Sequence, residues 1–296
     1  MSSDPAIRCL GLGKAYQLFA RRSDQVRQML FGSFHRFYLE YWVLRDIDLE
    51  MQRGESVGII GRNGAGKTTL LRLLCGITQP TCGEISVAGR IAPILALGAA
   101  FDWEMTGRQN VLISGAVLGL RRSDILRRLS SIAEFAAIGP FLDQPVRLYS
   151  AGMRSRLAFA ICVHAEADIL VVDEALAVGD AAFRRKSLAF MESFRRRGTL
   201  IVVTHDMQQI KALCDRVIWV DGGGIRASGT AAEVIQLYDD ATETEEDDSI
   251  RLRLDAEARN ARCHAAGLAR WWLARKSGTI ERQLQQFSQL DPPKDS

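Results

Sequence analysis

The order of apolar runs in this chain predicts an α/β fold, a mainly parallel sheet with helices on both faces. Two observations carry that expectation. Short β-branched or aliphatic runs alternate with longer helical patterns. A glycine-rich loop also joins one such run to one such pattern, where a strand would hand the chain over to a helix.

The strands come first. SVGII (56–60), ADILVVD (167–173), TLIVVT (199–204) and RVIWV (216–220) are apolar nearly throughout, as strands buried on both faces are. Helical stretches follow most of them, at KTTLLRLLC (67–75), AAFRRKSLAFMESFRRR (181–197) and DMQQIKALC (206–214). Three regions break the alternation. Residues 17–42 carry Val26, Met29, Leu30, Phe34, Phe37, Tyr38 and Tyr41 at helical spacing, with Arg21, Arg22, Arg27 and Arg36 among them. This pattern predicts one amphipathic helix. Residues 106–165 are helical in pattern and predict a helical subdomain, placed at about 100–165. From residue 241 the acidic run ATETEEDDS predicts a solvated linker over 241–250. A basic, helix-prone tail over 251–296 follows, with Trp271-Trp272 within it.

Composition excludes several classes. In 296 residues, 47% are apolar, which rules out wholesale disorder. With 38 Lys+Arg against 35 Asp+Glu the net charge is only +3, so a dedicated nucleic-acid binder is not expected. The six cysteines (Cys9, Cys75, Cys82, Cys162, Cys214 and Cys263) form no C-x-x-C pair, and the four histidines form no H-x-x-x-H pair. They are expected to be reduced, mostly buried thiols of a cytosolic protein. The start of the chain lacks the pattern of a signal peptide. The longest clean apolar run, VLISGAVLGL (111–120), is half a membrane span. No bilayer crossing is expected.

The chemistry is concentrated in Gly61-Arg62-Asn63-Gly64-Ala65-Gly66-Lys67-Thr68, a full G-x-x-x-x-G-K-[ST] loop. Glycines let the backbone curl until successive N–H groups point inward around the phosphates. The following helix, which continues through Thr69, offers the positive end of its dipole. Lys67 is expected on the β- and γ-phosphates, and the Thr68 hydroxyl on Mg²⁺. A random chain of this length matches the pattern roughly 1% of the time, and the strand before it and helix after it lower that further. ILVVDE ends a strand in two acids. Asp173 is the expected Mg²⁺ ligand, and Glu174 the base that activates the attacking water.

Between these motifs stands Leu148-Tyr149-Ser150-Ala151-Gly152-Met153-Arg154-Ser155-Arg156. It resembles the signature motif of ABC-type ATPases, and the resemblance runs from about residue 6 to 240. It implies a P-loop NTPase (RecA-like) nucleotide-binding domain with an antiparallel β part and a helical subdomain, hydrolysing ATP with Mg²⁺. By that resemblance, Ser150, Ala151 and Gly152 grip the nucleotide of the opposite subunit in a homodimer. His205 in Val203-Thr204-His205-Asp206 takes the place of the switch histidine, and Asp180 that of the D-loop aspartate. Lys14-Ala15-Tyr16 resembles the segment whose aromatic stacks on adenine. Tyr16 is the first choice, while Tyr38, Tyr41 and Trp42 compete.

Within that family the chain resembles in particular the ATPase subunits of exporters for O-antigen, capsule and teichoic-acid polysaccharides. The variant signature, the continuation Asp173-Glu174-Ala175-Leu176-Ala177-Val178-Gly179-Asp180 and the insert after Tyr16 carry that likeness. It implies a separate polytopic transmembrane subunit, a lipid-linked glycan or polyol phosphate as cargo, and a peripheral place on the cytoplasmic face of the inner membrane. The insert is expected to meet that surface. Two departures stand out: Ala96 or Leu97 occupies the place of the Q-loop glutamine, and Met153 ends the signature. A soluble ABC ATPase acting on ribosomes or nucleic acid is the alternative. It is disfavoured because only one cassette and no long coiled coil are present. A generic P-loop kinase or GTPase is disfavoured by the signature, by His205 and by the lack of an N-K-x-D motif. About 55 residues follow the core, so an added sugar-binding sandwich of around 100 residues is not expected within them.

Overall fold

A computed structural model of the chain describes residues 4–31, 36–94, 101–173 and 180–243. The chain divides into two compact units, Met1–Tyr238 and Asp239–Ser296. Of the second, residues 239–243 are described, and they are helical. Most of the expected acidic linker and all of the expected basic tail therefore lie outside the described residues.

Two sheets organise the first unit. One is antiparallel, with β1 (Ile7–Leu18) between β2 (Leu39–Met51) and β4 (Cys82–Val87). Period-two burial is plain in β2. Ile47, Leu49 and Met51 are buried while Asp46, Asp48 and Glu50 face outward, the pattern of a sheet with one wet face. The other sheet holds β3 (Ser56–Ile60), β5 (Ile91–Ile94), β6 (Ile169–Asp173), β7 (Thr199–Val203), β8 (Arg216–Asp221) and β9 (Gly224–Thr230) in the order β5-β6-β7-β3-β8-β9. Every pairing there is parallel except β8 with the edge strand β9. The runs SVGII, ILVVD and TLIVV are buried strands as the sequence predicts.

Helix α2 (Lys67–Leu74) lies in the core that joins the two sheets. Its Leu70, Leu71 and Leu74 share one buried cluster with Ile7, Leu12, Ile47 and Met51 from the first sheet and Val57, Ile59 and Ile201 from the second. Fully burying each such side chain is worth about 1.5–3 kcal/mol, so the loop before α2 is anchored in a fully buried core. The β8–β9 turn is tied to β2 by the Arg45 amide, which donates to Gly223 O at 2.9 Å.

The helical subdomain comprises α3 (Gly107–Val117), α4 (Arg122–Ala136) and α5 (Ala151–Val163), packed around Val111, Ile125, Leu129, Ile132, Leu157 and Ile161. Thr106 and Gln109 form a reciprocal capping box at the start of α3. Helices α6 (Ala181–Phe194) and α7 (Met207–Leu213) follow β6 and β7.

The single helix expected over 17–42 is not found. Among the described residues of this stretch, α1 (Arg22–Phe31) is the helical part; residues 17–18 complete β1 and residues 39–42 begin β2. Leu18 pairs with Leu39 and Tyr16 with Tyr41. Aromatic residues suit a pleated surface, and the cross-strand ladder satisfies their backbone groups. The apparent helical period of 17–42 therefore ran through the ends of two strands. Gln28 accepts a hydrogen bond from the Phe37 amide at 2.9 Å, and Phe19 packs on Tyr38, which closes the arm.

Candidate nucleotide site

Parallel register brings the sequence motifs to one edge. Val203, last in β7, pairs with Ile59 of β3 on one side and with Asp173, last in β6, on the other. The phosphate loop leaves β3 and His205 follows β7, so Gly61, Asp173 and His205 emerge at the carboxyl ends of three adjacent strands. In open α/β sheets that edge is where ligands bind.

The loop is shaped by close approach. Gly61 has φ of +148°, and a Cβ there would stand 2.1 Å from Val220 O. Gly66 has φ of +103°, and its Cβ would meet Leu44 Cδ2 at 2.7 Å. Any side chain at either position would push the loop out of its curl. No side chain caps the start of α2, which leaves its first amides for an anion. Lys67 is only 7% exposed. Its Nζ donates to Gly61 O at 2.6 Å and Arg62 O at 3.0 Å, so the ammonium is held inside the loop it serves.

Two cavities flank the loop. One of about 340 Å³ is lined by Tyr41, Val43, Asn63, Gly64, Gly66, Lys67, Thr68 and Thr69. A second of about 520 Å³ is lined by Tyr41, Trp42, Arg62, Ala65 and the turn Asp221-Gly222-Gly223, among others. Tyr41 lines both. Tyr16 lines neither; it stands across the ladder from Tyr41, with the Lys14 ammonium 5.3 Å from its ring centroid.

No residue of the 148–156 segment lines either of these cavities. Ser150 is exposed and caps α5, accepting a hydrogen bond from the Met153 amide at 3.2 Å. Ala151 and Gly152 form the first turn of that helix. Asp180 caps α6 by accepting from the Phe183 amide at 2.8 Å. That hydrogen bond, reinforced by Arg156, holds its carboxyl below the usual carboxylate range. Glu174 lies outside the described residues, as do Ala96, Leu97 and Ala177-Val178-Gly179. Of the thiols, Cys9, Cys162 and Cys214 are buried, Cys75 is half-buried and Cys82 is exposed. Burial pushes Cys9, Cys75, Cys162 and Cys214 up to about 12. No cluster of three or more His, Cys, Asp or Glu that could hold a metal occurs among the described residues. No described helix is long and apolar enough to cross a membrane.

The profile of the ABC transporter family matches residues 44–177. The O-antigen export system ATP-binding protein RfbB of Klebsiella pneumoniae is 39% identical over 242 residues, which is 80% of this chain and 98% of that protein. The chain belongs to the ABC transporter family. Another ABC relative, the teichoic acids export ATP-binding protein TagH of Listeria monocytogenes, is 41% identical over 230 residues, 77% of this chain and 68% of that protein. A Myxococcus xanthus RfbB is 48% identical over 199 residues, and the match spans only 46% of that longer protein. In fold the chain is similar to the solved ATP-binding subunit of an ABC transporter. That match has a TM-score of 0.63 at 20% identity and covers 79% of this chain and 93% of that one. As a member of the ABC family this is a nucleotide-binding ATPase chain.

Sequence reasoning missed the groups that hold the ABC signature in place. Tyr149, buried, donates its hydroxyl to Phe141 O at 2.6 Å. Its ring stands over Gly107, where a Cβ would come 2.1 Å from the Tyr149 hydroxyl oxygen. The bulky Tyr of the variant signature is thus accommodated by a glycine far away in sequence. No local pattern announces that pairing.

Proposed function

We propose that this chain is the ATP-hydrolysing subunit of an exporter that moves a lipid-linked polysaccharide or polyol phosphate through a separate polytopic transmembrane subunit. The observation that carries the reading is the near full-length likeness to an O-antigen export ATP-binding protein, combined with the uncapped α2 and the buried Lys67. The chain works at the cytoplasmic face of the membrane as a peripheral homodimer.

The motifs imply the roles, and the shared strand edge of the loop, Asp173 and His205 supports them. Amides of Gly61–Thr69 bind the α- and β-phosphates, and Lys67 exchanges its two loop carbonyls for β- and γ-phosphate oxygens. Thr68 and Asp173 would hold Mg²⁺, and their oxygens are of the hard kind this ion takes; bound there it would offset the phosphates' negative charge. Glu174 accepts the proton of the attacking water, and His205, at the same strand edge, contacts the γ-phosphate. The base stacks on Tyr41, the aromatic that lines both cavities, in place of Tyr16. Ser150, Ala151 and Gly152 do not line the cavities beside their own chain's loop. They close over the partner's nucleotide, and Asp180 approaches the same interface.

The test is Glu174→Gln. Hydrolysis is expected to fall by about 10²–10⁴-fold, the usual worth of a positioned base, with binding retained, so the variant accumulates as an ATP-bound dimer in light scattering. A variant that stays monomeric at saturating ATP refutes the two-subunit site.

A further inference from the structure

Two arginines on α5 reach out from the signature segment on opposite sides of the helix. They are two residues apart, so their side chains leave the helix about 200° apart. Arg154 turns toward the helical subdomain: its Nη1 donates to Tyr149 O at 2.6 Å and its guanidinium stacks 4.8 Å from the Trp103 ring centroid. Arg156 turns the other way, and its Nη1 meets Asp180 Oδ2 at 3.4 Å. Its side chain is 21% exposed, and its Nε is buried with no hydrogen-bond partner. One carboxylate therefore does two things. Oδ1 of Asp180 caps α6 through the Phe183 amide, while Oδ2 receives the guanidinium from α5. Below this link Phe159 of α5 packs edge-on against Phe183 of α6, with ring centroids 5.6 Å apart.

We infer that Arg156 is a positioning residue for ATP hydrolysis: through Asp180 it fixes where the Ser150 cap of α5 stands relative to the N-terminus of α6. The inference rests on the dimeric reading above. In that reading Ser150 serves the partner's nucleotide, while α6 follows the strand that carries the chain's own Asp173. The Arg156–Asp180 link then makes these two contributions move together, so each subunit presents to both sites as one piece. The aromatic contact alone cannot do this, because apolar rings slide where a charge pair has a preferred geometry. Asp180 is 61% exposed, so the pair adds little to global stability. Its weight falls on orientation, where small misplacements cost rate. Neither residue lines the cavities beside the phosphate loop, so intrinsic ATP affinity should not depend on them.

A double-mutant cycle on the full chain tests this, with Arg156→Gln, Asp180→Asn, the pair together, and Arg156→Lys. Asp180→Asn keeps the oxygen that caps α6 and removes the charge. Steady-state ATPase, ATP affinity by calorimetry with a non-hydrolysable analogue, and thermal melting are measured for each. Each neutral variant is expected to lower kcat by about 3- to 10-fold, with affinity and melting temperature near wild type. The double variant should be no slower than the slower single, and Arg156→Lys should recover part of the loss. Additive losses, unchanged kcat, or losses that track a fall in melting temperature each overturn the inference. If the wild-type chain itself neither hydrolyses ATP nor pairs on binding it, the dimeric reading falls and this inference with it. An active wild type with unaffected variants removes this inference alone.

Discussion

Which tyrosine meets the base can be decided by substitution: the sequence favours Tyr16, and we propose Tyr41. Tyr16 and Tyr41 face each other across the β1–β2 ladder, so either could be chosen from proximity alone. Tyr41 is 56% exposed and lines both cavities beside Gly64, whereas Tyr16 is 36% exposed and lines neither. Stacking of a base on an aromatic ring is worth about 1–3 kcal/mol, or roughly 5- to 150-fold in affinity. Tyr41→Ala should therefore weaken ATP binding by about 10-fold or more, and Tyr41→Phe, which keeps the ring, by less than about 3-fold. Tyr16→Ala should cost less than about 3-fold, because it removes a cross-strand neighbour worth about 0.2–1 kcal/mol to the sheet and the Lys14 ammonium contact, neither of which lines the cavities. Titration calorimetry with a non-hydrolysable ATP analogue reads all three, and a melting curve checks that the arm still folds. If Tyr16→Ala costs as much as Tyr41→Ala, or Tyr41→Ala costs nothing, the cavity is not the base site and the assignment is wrong.

Lys67→Ala should reduce ATP affinity by about 100-fold or more, since hydrogen bonds to a charged group are worth about 1.5–3 kcal/mol each; retention within threefold would contradict its role. His164 is half-buried at the end of α5, with Ser131 Oγ 2.9 Å from Nε2 and Ala160 O 2.7 Å from Nδ1. Burial, with smaller help from Arg128 and Lys186, lowers its pKa below the ordinary 6.5. The unfolded chain then takes up the proton first, so stability is full above pH 6.5 and declines as pH falls toward the folded value. His164→Gln should flatten the fall in melting temperature between about pH 7.5 and 5.5, and an unchanged slope would rule the group out. Helix α1 buries none of its residues. Arg27→Glu with Arg36→Glu is expected to impair export in cells while leaving the isolated ATPase intact, since each basic side chain near an anionic leaflet is worth about 1 kcal/mol. A collapse of ATPase activity or melting temperature would instead place the arm in the enzyme's core.

Much of the architecture was legible because its determinants are local. The buried strands declare themselves by unbroken β-branched runs, since both faces are covered and no polar residue is tolerated between. The antiparallel sheet was harder. Its strands alternate Asp46, Asp48 and Glu50 with Ile47, Leu49 and Met51, and only the family likeness pointed to it. The 17–42 arm misled for a physical reason. Spaced aromatics satisfy a helical period as well as they fill the ends of two paired strands, and only a partner strand chooses between them.

The phosphate loop could be read directly from the residues because eight consecutive positions contain the whole device: glycines that permit the curl, the lysine inside it and the helix start behind it. Tertiary structure alone decided the contacts between distant segments. Asp173 stands level with Ile59 only through the β6–β7–β3 register. Tyr149 requires the bare Cα of Gly107, and Arg156 reaches Asp180 only because α5 and α6 lie side by side. Each of these depends on how separate elements pack, and the energy that selects the packing is spread over the core rather than written at the residues it brings together.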